Sequence, residues 1–545
     1  MSHEKRFLLA IGLTVAFLFV WFQYFVPKPA PQPPTTEATP VETAMAQAGS
    51  PAPAKPAGAP SSKRHAVAPA VETVLGGELW NATLTSRSAS IASMELTRYK
   101  TQAKPDAPRV KVIPIGGAAG EPLVFSFDVA GQALSDADLA YAVVEKQEDR
   151  VVYQAQAGDV TIRKTWDLRP QTYVSALTVE VMSGSKDPKK VAASVSLEGA
   201  LTEQDHQSGG FFKPRHTPMR AVSYVNGQSH HWVFSDVQKG AKVPEGDISW
   251  AGFDSQYFLL AALPSQGRWE RLSVAVQPDG ERVQETFSYP TWDLAPGQTL
   301  RYAVDLYAGP KDIDQLQAAG ANLDRAIDLG DWLGLVARPM MKFLRWAHGW
   351  AKNYGLAIIL LTVLVRLLLT PFTQMQAKSM KRMQEHKPEM DALKERYKDD
   401  KEAYSRELMA YMRTHKINPM GGCLLLLPQL PIFFALYRVL YNSIELRHEP
   451  FVFWIRDLAA HDPYFVMPVL LGIAMFFQQK LTPNPSADES QQMIMKIMPV
   501  MFTVFMLFLP AGLNLYILVS TLWGVAQQYR IQKATAGTVA LRKAG

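Results

Sequence analysis

Two hydrophobic rhythms divide this chain. Between Val71 and about Tyr307 apolar and polar residues alternate: Tyr173, Leu177, Val179 and Val181 take the odd positions of one run, and Tyr302, Val304 and Leu306 the even positions of another. A period of two sends successive side chains to opposite faces of a strand. Turn signals such as Gln277-Pro-Asp-Gly280 and Leu294-Ala-Pro-Gly297 separate the runs, and helical spacing is scarce. The pattern predicts a large antiparallel β-sandwich over 71–325.

From Trp332 onward the rhythm lengthens. Leu333, Val336, Met340, Phe343, Leu344 and Ala347 recur at helical spacing, Arg338, Lys342 and Arg345 mark another face, and Trp332, Trp346 and Trp350 accompany them. This predicts an amphipathic helix within 326–350, starting near Pro339 and lying flat in the headgroup layer. Five apolar runs follow, roughly Tyr354 to Thr370, Cys423 to Tyr441, Tyr464 to Lys480, Met493 to Leu509 and Ala511 to Gln527. Each has about the length a helix needs to cross hydrocarbon. An earlier run, Phe7 to Val26, follows Lys5 and Arg6 and leads into Trp21, Phe22, Tyr24 and Phe25 rather than a small-residue cleavage site. Residues 1–26 therefore read as a retained anchor. Residues 27–70, rich in Pro, Ala, Thr and Ser, read as an extended linker without a core.

Basic residues set the expected orientation. Lys378, Lys381, Arg382, Lys394, Arg406 and Arg413 crowd the loop 373–418, and Arg542 and Lys543 lie in the tail 531–545, whereas Asn442 to Pro463 holds only Arg447 and Arg456. The positive-inside rule places both termini and the long loop in the cytoplasm and the β domain outside. Within that loop Met390, Leu393 and Tyr397 share one helical face, Tyr404, Leu408 and Tyr411 another, and Asp399-Asp400 break between them. A helical hairpin is expected, either a docking surface or a solvated arm.

Composition narrows the chemistry. The net charge of +6 over 545 residues comes with no aromatic-studded basic module, which argues against specific nucleic-acid binding. A single cysteine, Cys423, excludes an internal disulfide framework and cysteine-built zinc clusters. His206, His216, His230 and His231 lie near expected loops and read as ordinary histidines rather than zinc ligands. The five apolar runs contain no Asp, Glu or His, and no phosphate-binding loop occurs. Ion-coupled transport, intramembrane proteolysis and nucleotide hydrolysis lose their usual residues, and no cofactor is expected.

What the runs do contain is Arg366. A guanidinium in hydrocarbon costs about 2.5 to 3.5 kcal/mol even on lenient insertion scales, and it does not shed its proton. Arg366 lies about 18 Å along a helix from Tyr354 and about 6 Å from Thr370, so it belongs in one half of the bilayer. One reading is a snorkelling side chain; the other is a hydrated cavity. Thr362 and Thr370 stack with it at four-residue spacing, and Gln429, Thr503, Asn514, Ser520 and Thr521 supply polarity on the other runs.

The layout of basic-tailed anchor, linker, external β domain and five-span core resembles the Gram-negative YidC family of membrane protein insertases. The resemblance is carried by Asn353-Tyr-Gly355, Arg366, Thr370-Pro371, Asn418-Pro-Met-Gly-Gly-Cys423, Pro428-Gln-Leu-Pro431, Asp462-Pro-Tyr464, Gln491-Gln492, Met498-Pro-Val-Met-Phe-Thr503 and Pro510-Ala-Gly-Leu-Asn514-Leu-Tyr516. Ile517 departs from it, where relatives often carry a second aromatic. The resemblance implies a polytopic α-helical core over 351–530 in an inner membrane, with the β domain periplasmic. It also implies a groove open to cytoplasm and lipid, which Arg366 faces, and nascent membrane proteins as substrates, inserted alone or with the Sec translocon and its accessory subunits. The hairpin and tail become candidate contacts for the ribosome or signal recognition pathway. A channel for an anionic solute and a pure assembly scaffold are the competing expectations.

Overall fold

The computed structural model describes residues 70–114, 122–200, 219–330, 332–398, 400–415, 417, 426–481 and 489–544. The expected anchor, nearly all of the linker, His206, His216 and Cys423 lie outside the described residues.

The alternating region forms antiparallel sheets, as its period requires. A nine-stranded sheet has Val174–Ser183 and Thr299–Pro310 at its centre, paired so that Leu177 faces Val304 and Val179 faces Tyr302 across the ladder. The odd positions of the first strand and the even positions of the second are buried. A six-stranded sheet built around Lys189–Ala200 covers this face. Phe125 and Phe127 of the smaller sheet approach Tyr302 of the larger at 6.4 and 6.3 Å between ring centroids. The architecture exceeds the two layers expected, because the strands between Glu72 and Ile113 form a third, four-stranded sheet. Lys164 ties the three together: its fully buried ammonium donates to Ser88 O at 2.7 Å and to the equally buried Asp136 carboxylate at 2.5 Å.

The helices after the β region are numbered α1 to α8: α1 Gly334–Ala351, α2 Tyr354–Glu385, α3 Lys387–Arg396, α4 Lys401–Thr414, α5 Leu426–Asn442, α6 Val466–Leu481, α7 Glu489–Met506 and α8 Ala511–Ala544. α7 packs on α6, α6 on α8, α8 on α2, and α2 on α1, which also holds α5. Among the described residues one helix, Tyr354–Met383, is long and apolar enough to cross a membrane by length and composition, while Val466–Leu481 and Ile497–Met506 are shorter apolar helices. This is fewer than the five apolar runs suggested. α8 owes its lower apolarity to Asn514, Ser520, Thr521, Gln527 and Gln528, and the first residues of the second run lie outside the described residues.

Three local expectations change. The apolar strip of α1 turns inward, for Leu333, Ala337, Met340, Met341, Leu344 and Ala347 are buried, while Leu335, Trp346 and Trp350 are exposed. Protein contact with α2 and α5 outcompetes lipid for that strip, since close packing adds dispersion contacts that fluid chains do not match. The run expected to end at Thr370 continues through Pro371 to Glu385, making the first arm of the hairpin a direct extension of α2. The tail joins α8, whose helix reaches Ala544. The hairpin's break stands where Asp400 caps α4, its carboxylate accepting from Glu402 N and Ala403 N.

The β domain is fastened to the bundle through charge. Arg438 of α5 pairs with Asp328 at 2.8 Å, and Asn442 donates to Asp328 O at 2.9 Å. Asp328 also accepts from Arg220, which pairs with the buried Asp254, itself joined to Lys311 at 2.9 Å. Burial alone would raise the Asp254 carboxyl, but Arg220 and Lys311 outweigh it and hold it down to about 2.

One carboxyl has no such support. Glu285 is fully buried beside Leu197 and Val274 in the ladder, and neither of its oxygens finds a hydrogen-bond partner among the described residues. Burial pushes its pKa well above the ordinary glutamate value. The folded state therefore holds it protonated: this advantage is complete below about pH 4 and is lost as pH rises through the elevated folded value. The Glu285→Gln variant should flatten the fall of Tm between pH 5 and pH 9 by several degrees, measured on the full chain in detergent. An unchanged pH profile would refute the assignment.

Candidate functional site: a guanidinium inside the helix bundle

Arg366 lies on the third to fourth turn of α2 and is partly buried. Its Nε reaches Ser520 Oγ on α8 at 2.8 Å, and Nη2 donates to the same oxygen. No carboxylate among the described residues pairs with it. The side chain is thus held toward α8, inside the bundle, rather than run out along α2 to the nearest surface. A guanidinium has five N–H donors, and one hydroxyl satisfies only part of that capacity.

The residues expected near Arg366 divide into groups. Thr362 is fully buried and its hydroxyl is spent on Ile358 O at 2.7 Å, within its own helix. Thr370 bonds back to Arg366 O at 2.9 Å, one turn toward the hairpin. That turn is sutured to α8 by Gln527, whose amide donates to Thr373 Oγ1 at 2.8 Å. Ser520 and Thr521 are both buried on α8, with Ser520 in direct contact. Gln429 lies on α5, and its Oε1 is shielded from solvent without a partner among the described residues.

Two residues serve elsewhere. Thr503 bonds to Pro499 O at 2.8 Å on α7 and packs against α6, where a Cβ added at Gly472 would collide with its hydroxyl. Asn514 donates to Met506 O at 3.1 Å and Leu509 O at 3.3 Å, closing the turn between α7 and α8. None of these bonds joins either residue to Arg366.

One residue was missed. Tyr516 is one turn before Ser520, is 2 % exposed, and its Oη meets no partner in good hydrogen-bond geometry among the described residues. It lies within electrostatic reach of Arg366. The i, i+4 spacing of Tyr516 and Ser520 could have revealed it, but its aromatic ring reads as core when only the sequence is considered.

Comparison with known proteins defines the lineage. The family described as 60Kd inner membrane protein matches residues 346–538, and the YidC periplasmic domain family matches residues 75–343. A membrane protein insertase YidC of Syntrophus aciditrophicus is 33% identical over 551 residues, covering 97% of this chain and 99% of that protein. The chain belongs to the YidC membrane protein insertase family.

The YidC of Anaeromyxobacter dehalogenans is 35% identical, covering 97% of each chain. A solved structure titled as an active YidC insertase with its first transmembrane domain resolved covers 84% of this chain and 93% of its own, at 21% identity and a TM-score of 0.37. YidC membership makes this an inner-membrane protein with a periplasmic β domain, and it favours insertion over the anion-channel alternative.

Ser520 is the sole described hydrogen-bond acceptor of the Arg366 guanidinium. Ser520→Ala leaves a partly buried charged donor short of its partner, a loss of about 1.5 to 3 kcal/mol. Ser520→Thr, which keeps the hydroxyl, should retain most of the stability. Thermal unfolding in detergent should therefore order the proteins wild type, threonine, alanine; equal midpoints for wild type and alanine would remove Ser520 from this role.

Proposed function

We propose that this protein inserts nascent membrane proteins into the inner membrane through a hydrated groove that contains Arg366. One observation carries the reading. Among the described residues Ser520 is the one hydrogen-bond partner of this permanent cation, and Tyr516 lies close to Gln429 and Ser520, with Gln429 Oε1 and Tyr516 Oη left without a well-aligned hydrogen bond. Such a set favours water, and a short polar or acidic segment of a client can replace that water at modest cost. The groove residues are Arg366, Thr370, Gln429, Tyr516, Ser520 and Thr521, with Thr362 supporting the helix behind them.

The process needs no chemical step, and this is not an enzyme. The client's polar tail enters the groove beside Arg366 while its apolar segment moves along the lipid-facing helices. Burial of roughly twenty apolar residues, at about 25 cal/mol per Å2, then drives insertion. The protein lowers the barrier that the polar tail meets in hydrocarbon. Both termini and the hairpin face the cytoplasm in this reading, and five spans of the core join an N-terminal anchor. The hairpin is the receiving surface for the incoming chain, with the ribosome or signal recognition pathway as partners of hairpin and tail, and the Sec translocon joins in inserting some clients.

Arg366→Ala should reduce insertion of a client with an acidic external tail severalfold in proteoliposomes, whereas Arg366→Lys should keep most of it. Equal loss in both would assign the role to guanidinium geometry rather than charge. Photocrosslinkers at Gln429 and Thr370 should capture a stalled nascent chain, and one at exposed Leu335 should not. Labelling confined to Leu335 would overturn the groove. Deleting residues 70–307 should leave insertion largely intact, because Asp328 and Arg438 remain to hold the outer end of α5.

A further inference from the structure

The connection between α5 and α6 presents aromatic side chains outward at a conformational cost. Phe453 is 88% exposed and adopts φ of 54°, and Phe465 is also exposed, with φ of 57°. Bulky residues rarely occupy the left-handed region, and each such placement costs on the order of 1 to 3 kcal/mol. Val452 and Tyr464 are exposed beside them.

Hydrogen bonds over-determine this loop. Asp457 Oδ1 accepts from His448 N at 3.1 Å and Ala459 N at 2.8 Å. Asp462, fully buried, accepts from Trp454 Nε1, Tyr464 N and Met467 N at 2.9, 3.1 and 2.7 Å. These bonds brace both sides of the strained positions. The exposure of Phe453 is therefore built in rather than a fraying end.

The level of the loop is set by the helix ends it crosses. Asn353, just before α2, donates to Phe451 O at 3.2 Å, and the start of α8 is tied by Ala511 N to Ala460 O at 2.7 Å. Trp350 precedes Asn353 by less than one turn, and Trp346 lies one turn further back; both are exposed on α1. The loop continues the exposed aromatic strip of α1 around the outer end of the bundle.

We infer that Val452, Phe453, Tyr464 and Phe465 lie in the headgroup layer of the outer leaflet and, with Trp346 and Trp350, form an aromatic rim that fixes the depth of the bundle. The occupant is lipid. Aromatic side chains favour the interface between hydrocarbon and water, and a patch of this kind left in water is an association hazard. The continuity with α1, at the outer helix ends of an inner-membrane protein, identifies the surface. The inference rests on membrane residence and not on the role given to Arg366.

The test uses the full chain with Cys423→Ala and Phe453→Cys, carrying an environment-sensitive fluorophore and reconstituted alone in phosphatidylethanolamine and phosphatidylglycerol vesicles. A second protein carries the probe at Lys186→Cys, an exposed position of the β domain. With iodide equilibrated across the bilayer, quenching at 453 should be at least threefold weaker than at 186. Lipids spin-labelled near the headgroup should quench 453 more strongly than those labelled near the chain end. Iodide quenching equal at the two positions would overturn the inference, and because no other protein is present, it would point to a protein partner for this surface. Stronger quenching by chain-end labels would overturn it as well, by placing the loop in the hydrocarbon.

Discussion

A guanidinium that keeps its proton, placed within a helix bundle with no carboxylate paired to it among the described residues, is the constraint around which this molecule is arranged. Arg366 cannot be neutralised by titration, and Ser520 supplies one acceptor for several donors. The remaining demand requires water or a polar guest. That requirement accords with the buried hydroxyls of Ser520 and Thr521 on α8 and with the cluster of Tyr516, Gln429 and Ser520, in which Gln429 Oε1 and Tyr516 Oη lack a well-aligned hydrogen bond. Polar groups that would be defects in a sealed bundle are consistent with a hydrated one.

The same helix carries the cation and the cytoplasmic arm. α2 runs unbroken from Tyr354 past Pro371 to Glu385, and Gln527 of α8 stitches it just beyond the proline, where a backbone donor is missing. The hairpin then closes on a small cluster of Met383, Met390 and Ile417, with His386 bonded to Tyr411 at 2.9 Å. Among the described residues this cluster, with Leu408, Tyr411 and Met412 packed on it, is the hairpin's buried apolar core, and the first arm is continuous with α2.

At the opposite end the β domain is docked through charge and hydrogen bonds. Asp328 joins Arg220 of the nine-stranded sheet to Arg438 of α5, and Arg447 donates to Lys100 O at 2.6 Å while lying over the rings of Tyr257 and Phe258. Removing one member of such a network strands its partners, which costs more than the intact network contributes. Geometry at this junction is therefore more sharply specified than its net stability would suggest. The outer end of α5 is joined to the β domain at Asp328.

Much of this was legible in the chain. Period-two alternation determined the antiparallel β domain, because burial of one strand face leaves no other register. The apolar runs marked the helical core, and Arg366 stood out as a candidate because a permanent charge within an apolar run is costly and visible from sequence. Asp400 marked the hairpin break by its capping chemistry. What only the tertiary structure decided is which polar residues meet. Thr503 and Asn514 look equivalent to Ser520 in sequence, yet one packs against Gly472 and the other closes a turn, because helix rotation and stagger are set by packing between helices. The inward turn of the α1 strip has the same cause. Periodicity states that a helix has an apolar face; whether lipid or protein covers it depends on neighbours distant in the chain.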